Sequence, residues 1–396
     1  MRIHPVAWLR RFSANYLLAL VFLATSFCAY YLWHLSALTH RLLSPAEVSA
    51  RAGSVSINSV INNPLDLPHK LLQLLIQKLG YHGALSLRLA SVIIAAVILW
   101  SVFWLMKSWF GVTAGLAAAL IFATTPLVVL LARSATPNVM LLVPAVILAA
   151  YVRLVRYDHH RGRRWLLLVF VSAVALYVPG MIWLSLAGII FMHRRLLGIA
   201  RAIDRRILAA SGVLLIVVLA PLAWALIKDL NLYHQLLLVP QNWPSAIDIV
   251  KRTAWAALAL VWRTPHPHDL IVGRLAILDG MQICLVVFGT YVMWTRARRE
   301  ILCIGAIIVF SIVAAGLNDN LLLLALGLPG LAVLVGAGLR YLYVEWRSVF
   351  PRNPLPLGFS WLLITVIVGL QMAYGLRYSL IAWPHDPATK QTYVLK

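Results

Sequence analysis

Residues 44–88 read SPAEVSARAGSVSINSVINNPLDLPHKLLQLLIQKLGYHGALSLR, from Ser44 to Arg88. This is the one long polar-and-mixed segment in the first half of a chain that is otherwise strongly apolar. Membrane spans are usually joined by short loops, so a connection of about 45 residues implies a purpose beyond linkage. Asn63-Pro64-Leu65-Asp66-Leu67-Pro68 has the composition of a turn, with Pro68 suited to the first turn of a helix. Beyond it Leu71, Leu72, Leu75 and Leu79 form an apolar stripe, while Lys70, Gln73 and Gln77 recur on another face. The spacing predicts an amphipathic juxtamembrane helix lying in the interface, its apolar side toward lipid or toward the rest of the bundle.

The surrounding chain fits that reading. Of 396 residues, 62% are hydrophobic and 12% charged, with a mean hydropathy of +0.88. A soluble domain carries about 25% charged residues, so an all-α polytopic membrane protein is expected, with 1–396 as a single membrane domain. The 34 basic and 12 acidic residues do not point to nucleic acid, because the arginines cluster directly after apolar runs, as topology determinants do. Cys28, Cys284 and Cys303 lie inside apolar runs without ligand spacing and imply neither a disulfide framework nor a metal.

A helix crosses the hydrocarbon core in about 20 apolar residues. That length places spans near 14–35, 84–106, 111–132, 137–155, 166–178, 180–192, 207–228, 275–295, 301–317, 320–340 and 358–381, about eleven in all. The two short ones follow from Pro179-Gly180, which breaks what would otherwise be one helix. With the N-terminus cytoplasmic, the segments carrying Arg2, Arg10 and Arg11, Lys107, Arg153 to Arg164, Arg194 to Arg206, Arg296 to Arg299, and Arg347 and Arg352 all fall inside. The C-terminus is then extracytoplasmic, and two sizeable segments face outward: the loop 36–83 and residues 229–274. No acidic residue falls at the centre of a span, which argues against an ion-coupled carrier or a flippase. Gly111, Gly115, Gly327, Gly330, Gly336 and Gly338 read as sites of close helix approach.

The outward segments hold the candidate chemistry. Glu47 fits either a solvated loop carboxylate or a general base that takes a proton from an acceptor hydroxyl. A phosphate leaving group would need cations, and Arg88, Arg133, Lys70 and His69 lie on or beside this loop. Snorkelling to lipid headgroups is the alternative role for those side chains. His266-Pro267-His268-Asp269 lacks the i, i+4 spacing of a zinc site, so no metal and no other cofactor is expected. Phosphate-binding, dinucleotide and nucleophile-elbow motifs are absent from the sequence.

Several stretches together resemble the polytopic glycosyltransferases of the GT-C type, which include protein O-mannosyltransferases, glycosyltransferase family 39 and the lipid A aminoarabinose transferase. They are a first span followed by an acidic outer loop, a proline turn with a juxtamembrane helix, Gly80-x-x-Gly83-x-x-x-x-Arg88, and the junction Ala132-Arg133-Ser134-Ala135-Thr136-Pro137-Asn138. The resemblance is densest in residues 1–160, the expected catalytic module, and continues more weakly through 161–396. It implies inverting transfer of a sugar from a polyprenyl-phosphate carrier in the membrane to a protein, lipid or glycan acceptor on the outer face. It also implies an Asp-Glu pair in the first loop whose Asp is the base. Here that pair reads Ala46-Glu47, which moves the expectation onto Glu47, with Asp66 as a second acid. The acid common at the start of the fourth span is Asn138. Arg88, Arg133, Lys70, His69 and Asn138 are the expected substrate-binding residues. Ala46 also leaves open a non-catalytic relative that binds lipid-linked sugar.

Overall fold

The computed structural model describes residues 14–33, 35, 42–80, 83–157, 160–266, 268–349 and 354–394. Arg2, Arg10, Arg11, Pro267 and Arg352, used above, lie outside the described residues. Among those described, helices dominate, with isolated bridges at Arg263–Leu275 and His268–Ile271 and no strand. The first helix, α1 (Ala14–Phe27), runs into a π turn at Cys28–Leu32, and the long loop folds into α2 (Pro45–Ala52), α3 (Ile57–Asn62) and α4 (Leu67–Lys78). Then come α5 (Ala84–Phe110), α6 (Val112–Thr124), α7 (Pro126–Arg133) and a 3-10 turn, Pro137–Leu142, that leads into α8 (Pro144–Arg156). α9 (Arg161–Ala175), α10 (Met181–Arg201) and α11 (Arg205–Lys228) follow, with α12 (Asn231–Leu237) and α13 (Ala246–Val261) in the second long segment. α14 (Gly280–Arg296), α15 (Arg298–Asn318), α16 (Leu328–Val349, entered through 3-10 turn Leu321–Gly327), α17 (Pro354–Leu376) and α18 (Pro387–Thr392) complete the chain.

Seven of these helical segments are long and apolar enough to cross a membrane, or eight if the bent pair α6–α7 is one span. The expected count of eleven is not reached by that measure. The difference lies in three shorter helices at the expected places: Tyr16–Leu32, the 15-residue α9 and the 17-residue α14. The break at Pro179-Gly180 is present, with Gly180 in the left-handed region at φ 79° between α9 and α10. The expected span 111–132 is bent by 64° at Thr125. Pro126 disfavours helical geometry at the residue before it, and Thr125 is extended at ψ 124°. Gln282 Nε2 donates to Thr125 Oγ1 at 2.9 Å and fixes the bend from α14.

The most apolar stretch of Leu321–Val349 is 89% buried and forms the axis of the bundle, whereas those of α10 and α11 are only 11% buried and form its periphery. Glycine makes the central packing possible. A Cβ on Gly289 of α14 would collide with the Leu334 carbonyl of α16, and one on Gly338 would collide with the Leu285 carbonyl of α14. The two helices therefore touch backbone to backbone at two points, which only small residues allow. Replacing Gly338 with Leu is expected to lower stability by at least about 1–3 kcal/mol, as overpacking does. Gly305→Ala on α15, where a Cβ meets open space, should be neutral or mildly stabilising. Thermal unfolding of the purified protein in detergent compares the two directly.

Candidate functional site

The loop and the start of α5 meet at a buried ion pair. Ser44 caps α2, its Oγ accepting from the Glu47 amide at 3.2 Å while the Ser44 amide donates to Glu47 Oε2 at 3.2 Å. This reciprocal capping box fixes the Glu47 side chain at the third helical position. Arg88 then grips the same carboxylate as a fork, Nε to Oε1 at 3.1 Å and Nη2 to Oε2 at 3.1 Å. The Ala135 amide, from the junction after α7, adds a 2.8 Å bond to Oε1. Glu47 is wholly buried, and its carboxylate accepts four hydrogen bonds, one of them shared with its own helix cap. Arg88 also donates to the Leu35 and Leu42 carbonyls at 3.1 and 3.0 Å. Glu47 is therefore neither the solvated loop carboxylate nor an unengaged base. It ties α2, α5 and the α7 junction together.

Ala46 faces the other way. Adjacent positions on a helix are turned by about 100°, and Ala46 is exposed while Glu47 is buried. A carboxylate at 46 would point outward, away from the buried position that Glu47 occupies.

Arg133 is also buried, donating Nη1 to the Tyr30 carbonyl at 2.6 Å and Nη2 to the Trp33 carbonyl at 2.7 Å, which closes the end of the first helix onto α7. Its Nε has no hydrogen-bond partner among the described residues. Asn138 is partly buried on the 3-10 turn, and its side chain makes no hydrogen bond with the described residues.

The helix α4 is present where expected, but its orientation is the reverse of a water-soluble amphipathic helix. His69, Gln73 and Gln77 are buried, whereas Leu71, Leu75 and Leu79 are 47%, 57% and 66% exposed. The polar face supplies a chain of hydrogen bonds: His69 Nε2 with Ser91 Oγ at 2.9 Å, Gln73 Nε2 to the Ala135 carbonyl at 2.7 Å, Ser54 Oγ to Gln73 Oε1 at 3.0 Å, and Gln77 Nε2 to Ser54 Oγ at 2.9 Å. His69 opposite Ser91 and Gln73 opposite Leu87 (3.4 Å to its carbonyl) run α4 antiparallel to α5. Both the amide and the carbonyl of Ala135 are thus held, by Glu47 and by Gln73.

Burial pulls the His69 imidazole down to about 3, with the Lys70 charge acting in the same direction. Lys70 is lowered by burial and raised by Asp66, and its Nζ donates to the Asn63 carbonyl and Oδ1 at 2.7 and 3.2 Å. Asp66 precedes α4 in a left-handed conformation, φ 55°, that its amide secures by donating to the Tyr177 carbonyl at 2.9 Å. Its carboxyl is partly buried, caps nothing, and is pushed up to about 7 by burial, against the opposing pull of Lys70. A carboxyl poised near neutrality and without donors on it can exchange a proton, which Glu47 cannot do without losing four bonds. Asp66 and Lys70 sit at one end of α4, while Gln73 reaches the Ala135 junction about 10 Å further along.

The far end of the chain covers the ion pair. Tyr393 lies 5.9 Å from the Arg88 guanidinium and packs edge-on to Trp383 at 5.4 Å. Trp383 Nε1 donates to the Asp269 carbonyl at 2.6 Å, and the Gly273 amide donates to Asp386 Oδ1 at 3.2 Å, so the second long segment and the chain's end close over the site together. Tyr393 and the Ala135 amide are participants that the residue-by-residue reading missed. Neither carries a local signal, whereas the Ser44-x-x-Glu47 capping box does, and it could have placed Glu47 on a helix start.

Comparison with known proteins agrees with this architecture. Residues 67–224 match a family profile described as dolichyl-phosphate-mannose-protein mannosyltransferase. No curated protein matches the chain. Among solved structures, ArnT from Cupriavidus metallidurans in the apo state is similar at a TM-score of 0.57 and 14% identity, covering 96% of this chain and 75% of that one. The same protein bound to undecaprenyl phosphate gives 0.54 and 15%, with 96% and 76% covered. The Archaeoglobus fulgidus oligosaccharyltransferase, tethered to an acceptor peptide containing the NVT sequon, gives 0.57 and 14%, with 96% of this chain but only 56% of that one covered. The chain has the fold of the GT-C type membrane glycosyltransferases, as the resemblance in its sequence implies.

The hydrogen-bond ledger separates structural from exposed positions. Gln73→Leu should lower stability by about 1–3 kcal/mol, because it strands the Ala135 carbonyl in a buried setting. Ala46→Asp, at an exposed first-turn position, should leave stability within about 0.5 kcal/mol of the parent. Both shifts are read from denaturation in a single detergent.

Proposed function

We propose that the protein transfers a sugar from a polyprenyl-phosphate carrier to an acceptor at the outer membrane face, with Asp66 as the base and Lys70 as the nearest cation. The observation that carries the reading is the placement of Asp66: a partly buried carboxyl at the head of α4, free of capping bonds and beside Lys70, where burial raises its proton affinity. Single displacement at the anomeric carbon requires one base for the acceptor hydroxyl, while the departing phosphate leaves as an anion that needs cations and not a proton. The relative with undecaprenyl phosphate bound and the relative carrying a tethered acceptor peptide supply the two substrate classes by analogy of fold. Clustering of arginines at the opposite end of the helices supports a cytoplasmic position for that end, and so an outward position for Asp66, Glu47 and Arg88. Trp243 and Trp262, 67% and 72% exposed in the second outward segment, suit contact with a sugar face or with the interface.

A second reading, a non-catalytic relative that holds lipid-linked sugar, is favoured by the four bonds that saturate Glu47 and by Ala46 in the place of the expected Asp. Transfer from a panel of labelled polyprenyl-phosphate sugars in membranes distinguishes the two. As an enzyme, the protein turns over, Asp66→Asn lowers turnover by about 10²–10⁴-fold, and the parent's rate rises with pH through about 7 as Asp66 loses its proton. Ala46→Asp, which restores an outward carboxylate, raises the rate. Binding of the carrier-linked sugar without turnover, with Asp66→Asn unchanged, identifies the non-catalytic relative. Folding is linked to the same proton: Asp66 titrates higher in the folded state than its ordinary 3.8, so the parent loses stability as pH rises from about 4 to 7. That slope should shrink in Asp66→Asn.

A further inference from the structure

We propose that the end of the bundle opposite Glu47 and Arg88 holds an anionic phospholipid, with its phosphate among Arg156, Arg296 and Arg340 and its chains between α8, α9 and α10. A cavity of about 560 Å³ opens there, where the C-terminal ends of α5, α8 and α14 converge with α10, α15 and α16. Its charged lining is four arginines, Arg156, Arg195, Arg296 and Arg340, against one carboxylate, Glu300, a balance of 4 − 1 = +3. Glu300 is already committed, its Oε1 accepting from Arg195 Nη1 at 2.7 Å. Arg156, Arg296 and Arg340 are exposed and make no ion pair with the described residues, so three guanidinium groups face one space whose single carboxylate is already paired with Arg195.

The cavity does not end in water alone. Trp109, Tyr151, Val152 and Glu300 also line a second, almost wholly apolar cavity of about 310 Å³ that continues between α8, α9, α10 and α15. Leu168, Leu184, Met192 and Ile304 are among its walls, and Gly188 leaves open space beside α10. An arginine cluster joined to an apolar cleft in a membrane protein matches an amphiphile with an anionic head and acyl chains. Guanidinium groups favour phosphate because their planar N–H forks meet two oxygens at once. The site is about 30 Å from Arg88 along α5, from residue 88 to residue 109. It is therefore separate from the proposed transfer site. It uses the same orientation, in which this end faces the cytoplasmic leaflet, but not the identity of the base.

The purified full-length protein, delipidated and titrated with phosphatidylglycerol or phosphatidylcholine, is assayed by native mass spectrometry. At least about five-fold stronger retention of phosphatidylglycerol is expected. Arg156→Ala, Arg296→Ala and Arg340→Ala combined should bring it down to the phosphatidylcholine level, and the corresponding triple Lys variant should keep most of the preference. Gly188→Leu, which fills the apolar cleft, should weaken retention of phosphatidylglycerol with the arginines intact. Equal retention of the two lipids, an undiminished preference in the triple Ala variant, or displacement of phosphatidylglycerol by millimolar inorganic phosphate would each overturn the proposal, the last by identifying a free-anion site. Thermal unfolding of each variant confirms that folded protein is compared, and the Lys variant provides the test if the Ala variant does not fold.

Discussion

One buried ion pair organises the functional end of this protein. Taking a carboxylate and a guanidinium out of water costs several kcal/mol for each, and their mutual attraction offsets that only if the remaining donors and acceptors are matched. Here they are. Glu47 receives the Arg88 fork, the Ala135 amide and its own cap, and Arg88 gives two more protons to the Leu35 and Leu42 carbonyls. One set of bonds therefore joins the end of the first helical segment, the loop helix α2, the start of α5 and the junction behind α7. Removing either charge would leave the other buried without a partner.

The helix α4 completes that end by a related principle. With lipid outside and protein inside, polar side chains gain most by turning inward to find partners, and leucines lose nothing by turning out. Gln73 meets the same Ala135 backbone that Glu47 holds, and His69 meets Ser91, so α4 and α2 clasp the junction from two sides. The proposed base, Asp66, lies at the start of this helix, where the left-handed turn and the Tyr177 carbonyl fix its backbone and leave its carboxyl unengaged.

Much of this was legible in the sequence, for physical reasons that also mark where legibility stops. Apolar run length and arginine position revealed a helical membrane bundle, and Pro179-Gly180 announced the break before α10. Seven or eight of the eleven expected spans are long enough to cross by length and composition, and the other three fall on Tyr16–Leu32, α9 and α14, which are apolar but short. The 64° bend at Thr125 was hidden in an unbroken apolar run, although Pro126 was its local cause. Glu47 and Arg88, singled out in the sequence, meet in the structure. What one-dimensional reading could not provide was their pairing, since the partner is 41 residues away and the third donor, Ala135, is a backbone amide 88 residues away. Without that pairing Glu47 reads as a free carboxylate; with it, Glu47 is buried and fully bonded, and the exposed position is that of Ala46.

The central claim is that Glu47 and Arg88 act as one buried unit on which the loop depends. A double-mutant cycle measures this most directly, with Glu47→Gln, Arg88→Met and the pair together compared by equilibrium unfolding in a single detergent. The account predicts that each single change costs about 3–5 kcal/mol, and that the double change costs well below their sum, a coupling of at least about 2 kcal/mol. Additivity to within about 0.5 kcal/mol would contradict it, because the two side chains would then contribute independently of each other.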